Sequence, residues 1–205
     1  MKRFVLAITG ASGAVLGIRL LEELLRHAEV HVLISWNTFS IIKDETGIDW
    51  ADKTEQAIRS RFRTERLYFF DDSQMHAPVA SGSFKTDGMF VVPCSMKTLA
   101  GIAGGYANNL IERAADVTIK EGRPLLLAPR EMPFSAIHLE NMLKLARIGV
   151  KIAPPVPAFY QGPRSLDQMV DFLIGKMLDA MGIDHDLFKR WGSSAGGWHQ
   201  DSASR

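Results

Sequence analysis

The feature that most constrains this chain of 205 residues is a recurrence. Six short apolar runs are separated by stretches with helical periodicity. The runs are FVLAI (4–8), VHVLI (30–34), LYFF (67–70), MFVVP (89–93), LLLAP (125–129) and VKIAP (150–154). Most are near-continuous rather than alternating, the pattern of strands covered on both faces. Between them, residues 13–27 align Val15, Ile18, Leu21, Leu24 and Leu25 on one face. Residues 108–121 align Leu110, Ile111, Ala114, Val117 and Ile119, with Arg113, Asp116 and Lys120 opposite. Residues 135–147 and 165–181 repeat the theme. Strands alternating with helices predict a three-layer, Rossmann-like (flavodoxin-like) α/β fold with a mostly parallel sheet.

Composition narrows the function classes. The length suffices for one domain with a full core, and no internal repeat or linker divides it. A formal net charge of +1 gives no bulk electrostatic case for nucleic acid or an anionic membrane surface. No apolar run approaches the roughly 20 residues of a membrane span. The opening MKRFVLAITG has a basic start and an apolar run, as a signal peptide does, but the run is short and reads better as a first strand. The single cysteine, Cys94, allows no internal disulfide framework and no Cys-rich metal site. Cytoplasmic residence is the default expectation. The segment GSSAGGWHQDSASR (192–205) is Gly/Ser-rich and reads as a mobile tail.

Three stretches behind strands could grip a phosphate. In ITGASGAVLG, Gly10, Ser12, Gly13 and Gly17 lie between a strand and a helix. Glycines admit an anion to backbone N–H groups, and the helix start adds a favourable dipole. The spacing is not G-x-G-x-x-G, and the second strand ends in LISW, with no acidic residue for a ribose, so NAD is disfavoured. A ligand-free tight turn is the alternative. In PCSMKTLAGIAGG (93–105), Ser95, Thr98 and Lys97 occupy a second strand-to-helix turn, where Ser95 could equally be a plain N-cap. Third, Arg130 and Glu131 follow LLLAP between two prolines, as a held loop or a plain surface ion pair. The proline-rich PPVPAFYQGP (154–163) carries Phe159 and Tyr160 in a stiff loop. Cys94 reads as a packing residue rather than a nucleophile.

Taken in order along the chain, TGASGA, SGSF (81–84), PCSMKTL (93–99), NNLIERAADVTIKEGRPLLLAPRE (108–131), HLENML (138–143), PPVPAFY (154–160) and a late RW (190–191) resemble the UbiX/Pad1 flavin prenyltransferases. These were formerly labelled aromatic acid decarboxylases. The resemblance implies a metal-independent transfer of a dimethylallyl group from dimethylallyl phosphate to N5 and C6 of reduced FMN. The product, prenylated FMN, would serve a UbiD-type decarboxylase. It implies FMN contacts at Gly10, Ala11, Ser12, Ser35, Ser95, Met96, Lys97, Thr98 and Arg130. Tyr160 and Lys176 fall at donor-phosphate positions. Arg113, Lys120, Glu45 and Glu131 fall around the same pocket, and Trp191 near its mouth. Residues 1–191 would then form a single FMN-binding domain, assembled as a homo-oligomer, commonly a dodecamer, with active sites at subunit contacts. Within that reading, Glu131, Glu45 or the departing phosphate is the candidate base, with Glu131 beside Arg130 as the main acid–base group, and Ser12 is a proton relay at N5.

This sequence departs from the pattern at Leu16, Trp36 and Lys176, the last often Arg, which would loosen a bidentate phosphate grip. Two other readings remain: direct FMN-dependent decarboxylation, with His76 as its marker, and a non-catalytic FMN carrier.

Overall fold

Six parallel strands form one sheet in the order β3-β2-β1-β4-β5-β6. They are β1 (Lys2–Ile8), β2 (Ala28–Ile34), β3 (Leu67–Asp71), β4 (Gly88–Cys94), β5 (Leu125–Pro129) and β6 (Lys151–Ile152). The computed structural model describes residues 1–50, 55–160 and 162–190. The expected tail, 192–205, lies outside the described residues, as does Trp191.

All six predicted strands are present. Their apolar character follows from burial on both faces: every residue of β4 is buried, and Phe4 to Ile8 of β1 likewise. One face carries Phe4, Leu6, Ile8, Phe90 and Leu126 against the helices α1 (Ala14–Leu24) and α7 (Leu166–Ala180). The other carries Val5, Ala7, Met89, Val91 and Leu127 against α4 (Met96–Gly104), α5 (Leu110–Lys120) and α6 (Ala136–Arg147). These two apolar layers are the three-layer architecture predicted from periodicity. The sixth strand is shorter than the run 150–154, because Pro154 and Pro155 have no N–H to continue a ladder.

Two helices, α2 (Thr38–Thr46) and α3 (Glu55–Phe62), fall where the sequence signalled nothing. Both are weakly patterned: α2 buries Thr38, Phe39 and Ile42, and α3 only Ile58. No helix among the described residues is long and apolar enough to cross a membrane.

The order of strands fixes where a ligand can sit. From β1 the chain winds one way to β2 and β3, then returns to β4 on the other side. Loops leaving the carboxyl ends of β1 and β4 therefore diverge and leave a crevice between them. Gly17 holds α1 down on this junction. A Cβ there would meet the carbonyl oxygen of Val92 at 2.5 Å and Ile8 at 3.0 Å. Its role is close packing, not approach to an anion.

Candidate functional site

The crevice is assembled around one buried hydroxyl. Thr9, fully buried, donates from Oγ1 to the carbonyl of Pro93 (2.8 Å) and accepts from the N–H of Ser95 (2.8 Å). The turn after β1 is thereby tied to the turn after β4. Arg130 joins them through its N–H, which donates to the carbonyl of Cys94 at 3.1 Å. Ser35, at the end of β2, bonds Thr38 Oγ1 (2.6 Å) and Asn37 Oδ1 (3.0 Å). The Asn37 amide lies against Gly10, where a Cβ would be 2.5 Å from Nδ2 and would make that side chain move. Gly10, Ala11, Ser12, Ser35, Ser95 and Arg130 thus follow the carboxyl ends of β1, β2, β4 and β5, and Met96, Lys97 and Thr98 form the first turn of α4.

The turns after β1 and β4 both bring a serine to a helix start but differ in their free donors. At the start of α1, the Glu45 carboxylate, reaching over from α2, accepts from Gly13 N–H (3.0 Å) and Ala14 N–H (2.8 Å). Gly13 takes the left-handed conformation (φ 103°) to begin the helix. The anion seat of this helix is therefore filled by the chain's own carboxylate. At the start of α4, Ser95 Oγ accepts from Thr98 N–H at 3.3 Å as an N-cap. The first N–H groups of a helix have no partner within it. Those of Met96 and Lys97 have none among the described residues, so α4 presents an open anion seat.

Lys97 is held beside that seat. Its ammonium lies 3.0 Å from Glu112, whose side chain is only 2% exposed and also accepts from Asn108 N–H at 3.0 Å. Asp72, at the carboxyl end of β3, completes the rim. Burial raises its carboxyl above the usual range, while an N–H from Trp36 and the charge of Lys97 oppose the rise. Burial pushes the Cys94 thiol far up, which agrees with a packing role. The Arg130 guanidinium has no hydrogen-bond or ion-pair partner among the described residues, while Glu131 accepts from Met132 N–H at 3.0 Å. Ser12 and His76 are exposed.

One chain does not bring all expected phosphate contacts together. Lys120 ends α5 beside Gly82 and pairs with Glu121. Five residues later the chain enters β5 at Leu125, paired with Met89 near the start of β4. Lys120 is therefore at the amino edge of the sheet and Arg130 at the carboxyl edge, separated by a strand about 17 Å long. Arg113 lies one turn into α5, where Nε donates to the Ala80 carbonyl (3.0 Å) and a terminal nitrogen pairs with Asp116 (2.8 Å). Tyr160 sits edge-on to Phe172 at 5.9 Å, and Lys176 is exposed one turn further along α7. Among the described residues, no group of three His, Cys, Asp or Glu side chains could hold a metal ion.

Sequence reasoning missed Thr9, Asn37, Asp72 and Glu112. Each acts through a partner distant in sequence. A polar residue closing an otherwise apolar strand was the one local signal, and it applied only to Thr9.

A Flavoprotein family model matches residues 1–179. A flavin prenyltransferase UbiX from Methanocaldococcus jannaschii is 47% identical over 191 residues, covering 93% of this chain and 99% of that protein. Two crystal structures superpose closely. One, AnUbiX (PadA1) in complex with FMN and dimethylallyl pyrophosphate, has a TM-score of 0.86 at 45% identity, covering 94% of this chain and 98% of that one. The other, a dodecameric FMN-dependent UbiX-like decarboxylase from Escherichia coli O157:H7, has a TM-score of 0.84 at 43% identity, covering 92% and 98%.

Proposed function

This chain belongs to the flavoprotein family, in its UbiX/PAD1 flavin prenyltransferase branch, and from that premise we propose that it prenylates reduced FMN. The observation that carries the choice of nucleotide is Glu45 at the start of α1. A dinucleotide places its pyrophosphate on that helix end. A carboxylate already there repels it, whereas a mononucleotide can use the open start of α4 and Arg130, whose guanidinium has no partner among the described residues.

Bound in its reduced form, FMN would supply the nucleophilic N5 and C6 positions. The remaining work falls to the chain. Arg130, Lys120, Lys176 and Tyr160 bind the donor phosphate and stabilise its charge as the allylic C–O bond breaks. Trp191 offers an electron-rich face to the developing cation. Ser12 holds a proton at N5. Glu131 accepts the proton released as the second bond closes. It is preferred over Glu45, whose two oxygens already accept backbone N–H groups. Dimethylallyl monophosphate is the proposed donor, and transfer needs no metal. The relative's complex holds the diphosphate, so both donors belong in the test.

Lys120 and Arg130 lie at opposite edges of one chain, so a complete site takes Lys120 from a neighbouring copy. This supports a homo-oligomer, a dodecamer like the Escherichia coli relative. The product would pass to a UbiD-type decarboxylase, in the cytoplasm.

The experiment is anaerobic incubation with reduced FMN and either donor, followed by the mass of the extracted flavin. A dimethylallyl increment is expected with the monophosphate. An unchanged mass with both donors refutes the reading and favours a carrier, whereas release of carbon dioxide from an added acid favours the decarboxylase. Lys120→Ala and Arg130→Ala oligomers, each inactive, should regain part of the activity when reassembled together. Glu131→Gln should lose turnover while retaining FMN.

A further inference from the structure

One stripe of α7 ties the proposed donor end of the site to the chain that follows that helix. Phe172, Gly175, Lys176 and Asp179 are spaced at i, i+3, i+4 and i+7, so they share a helix face. Phe172 touches Tyr160 on one side and Phe188 on the other, with ring centroids 5.9 and 5.0 Å away. Gly175 is a notch for the returning segment: a Cβ there would overlap the ring edge of Phe188 and lie 2.6 Å from His185 Cε1. Asp179 then clasps the segment. Its two oxygens accept from both terminal nitrogens of Arg190, at 2.9 and 3.2 Å. His185, whose side chain is 0% exposed, places Nε2 3.2 Å from the same carboxylate, off the line of a hydrogen bond, while its Nδ1 accepts from Leu187 N–H. Arg190 holds the Asp179 carboxyl below the usual range.

This is more than an exposed ion pair. A two-pronged Arg–carboxylate pair fixes direction as well as distance. Here it is backed by a buried ring and by a glycine whose missing side chain leaves room for that ring. The pair also closes next to the residues the donor needs. Lys176 is one turn before Asp179, Tyr160 leans on Phe172, and Trp191 is the peptide neighbour of Arg190.

We propose that Asp179 is a positioning residue for prenyl donor binding. By latching residues 183–190 onto the Gly175 notch, it fixes the Phe172–Phe188 pair that supports Tyr160. The inference rests on the prenyl-transfer reading for its kinetic consequence, though not for its structural one.

The test uses the full chain and reads both. With reduced FMN and dimethylallyl monophosphate, Asp179→Asn should raise the donor KM about tenfold. It should leave the FMN dissociation constant unchanged, and trypsin should cleave after Lys189 and Arg190 faster. Asp179→Glu should recover part of both effects. Gly175→Ala, which displaces Phe188 while sparing every charge, should reproduce the KM and cleavage changes. A donor KM and cleavage rate within about twofold of the parent in Asp179→Asn would overturn the proposal. So would an equal loss of FMN and donor binding in both Asp179→Asn and Gly175→Ala, which would mark a general loss of fold. If the parent protein transfers no prenyl group at all, the functional reading fails, and tryptic cleavage alone still decides the latch.

Discussion

The turns after β1 and β4 share a strand–turn–helix plan but differ in whether their helix amides are free. Each follows a buried strand, carries a serine and starts a helix. The first is closed by Glu45. The second leaves two amides open and keeps its cation, Lys97, in the grip of Glu112. A strand–turn–helix motif thus specifies a place for an anion but not whether the place is free. What decides is a carboxylate delivered from elsewhere: at one turn onto the helix amides, at the other onto the lysine beside them.

The comparison can be broken most directly at Thr9, which joins the two turns. Thr9→Val leaves the Pro93 carbonyl without the hydroxyl and the Ser95 N–H without its acceptor. We expect a loss of about 2–3 kcal/mol in urea unfolding, together with weaker FMN binding. Turns that are independent of each other would show the first effect without the second. Next comes Glu112→Gln, which keeps the shape and removes the charge. Stability should fall by roughly 1–2 kcal/mol, the cost of weakening hydrogen bonds to a charged group. The released Lys97 should tighten FMN at low salt, an effect that high salt abolishes.

Glu45→Ala sharpens the contrast from the other side. Loss of the cap should cost about 1 kcal/mol. In exchange the α1 seat opens beside the open start of α4, so inorganic pyrophosphate should raise the melting temperature of the variant by more than that of the parent. The smallest effect concerns Asp72 beside Lys97. Its folded carboxyl is raised by burial, so the folded state holds the proton more tightly than the unfolded chain. Stability therefore falls as pH rises from the ordinary Asp range through the raised value. Asp72→Asn should flatten that slope in unfolding curves taken upward in pH from the ordinary Asp range.

The sheet was legible because burial on both faces writes itself into consecutive residues, as in FVLAI and LLLAP. Helices α1, α5, α6 and α7 were legible for the same reason at a different period. The helices α2 and α3 were not, since α3 buries only Ile58 and offers no stripe to read. In the site, glycines and hydroxyls announced the loops by type. What each loop could still bind was invisible, because Glu45 meets Gly13 across 32 positions and Thr9 meets Ser95 across 86. Nothing local in the sequence encodes such pairings. The separation of Lys120 from Arg130 was hidden differently: the two are close in sequence and set apart by the strand that runs between them.

The contact at Gly17 has a consequence for how this protein tolerates change. There the backbone of α1 rests on the carbonyl of Val92 with no side chain between them. A joint of that kind has no rotamers to sample and nothing to repack. Substitutions among the surrounding leucines and isoleucines can therefore raise or lower the melting temperature while the spacing of the two turns stays constant.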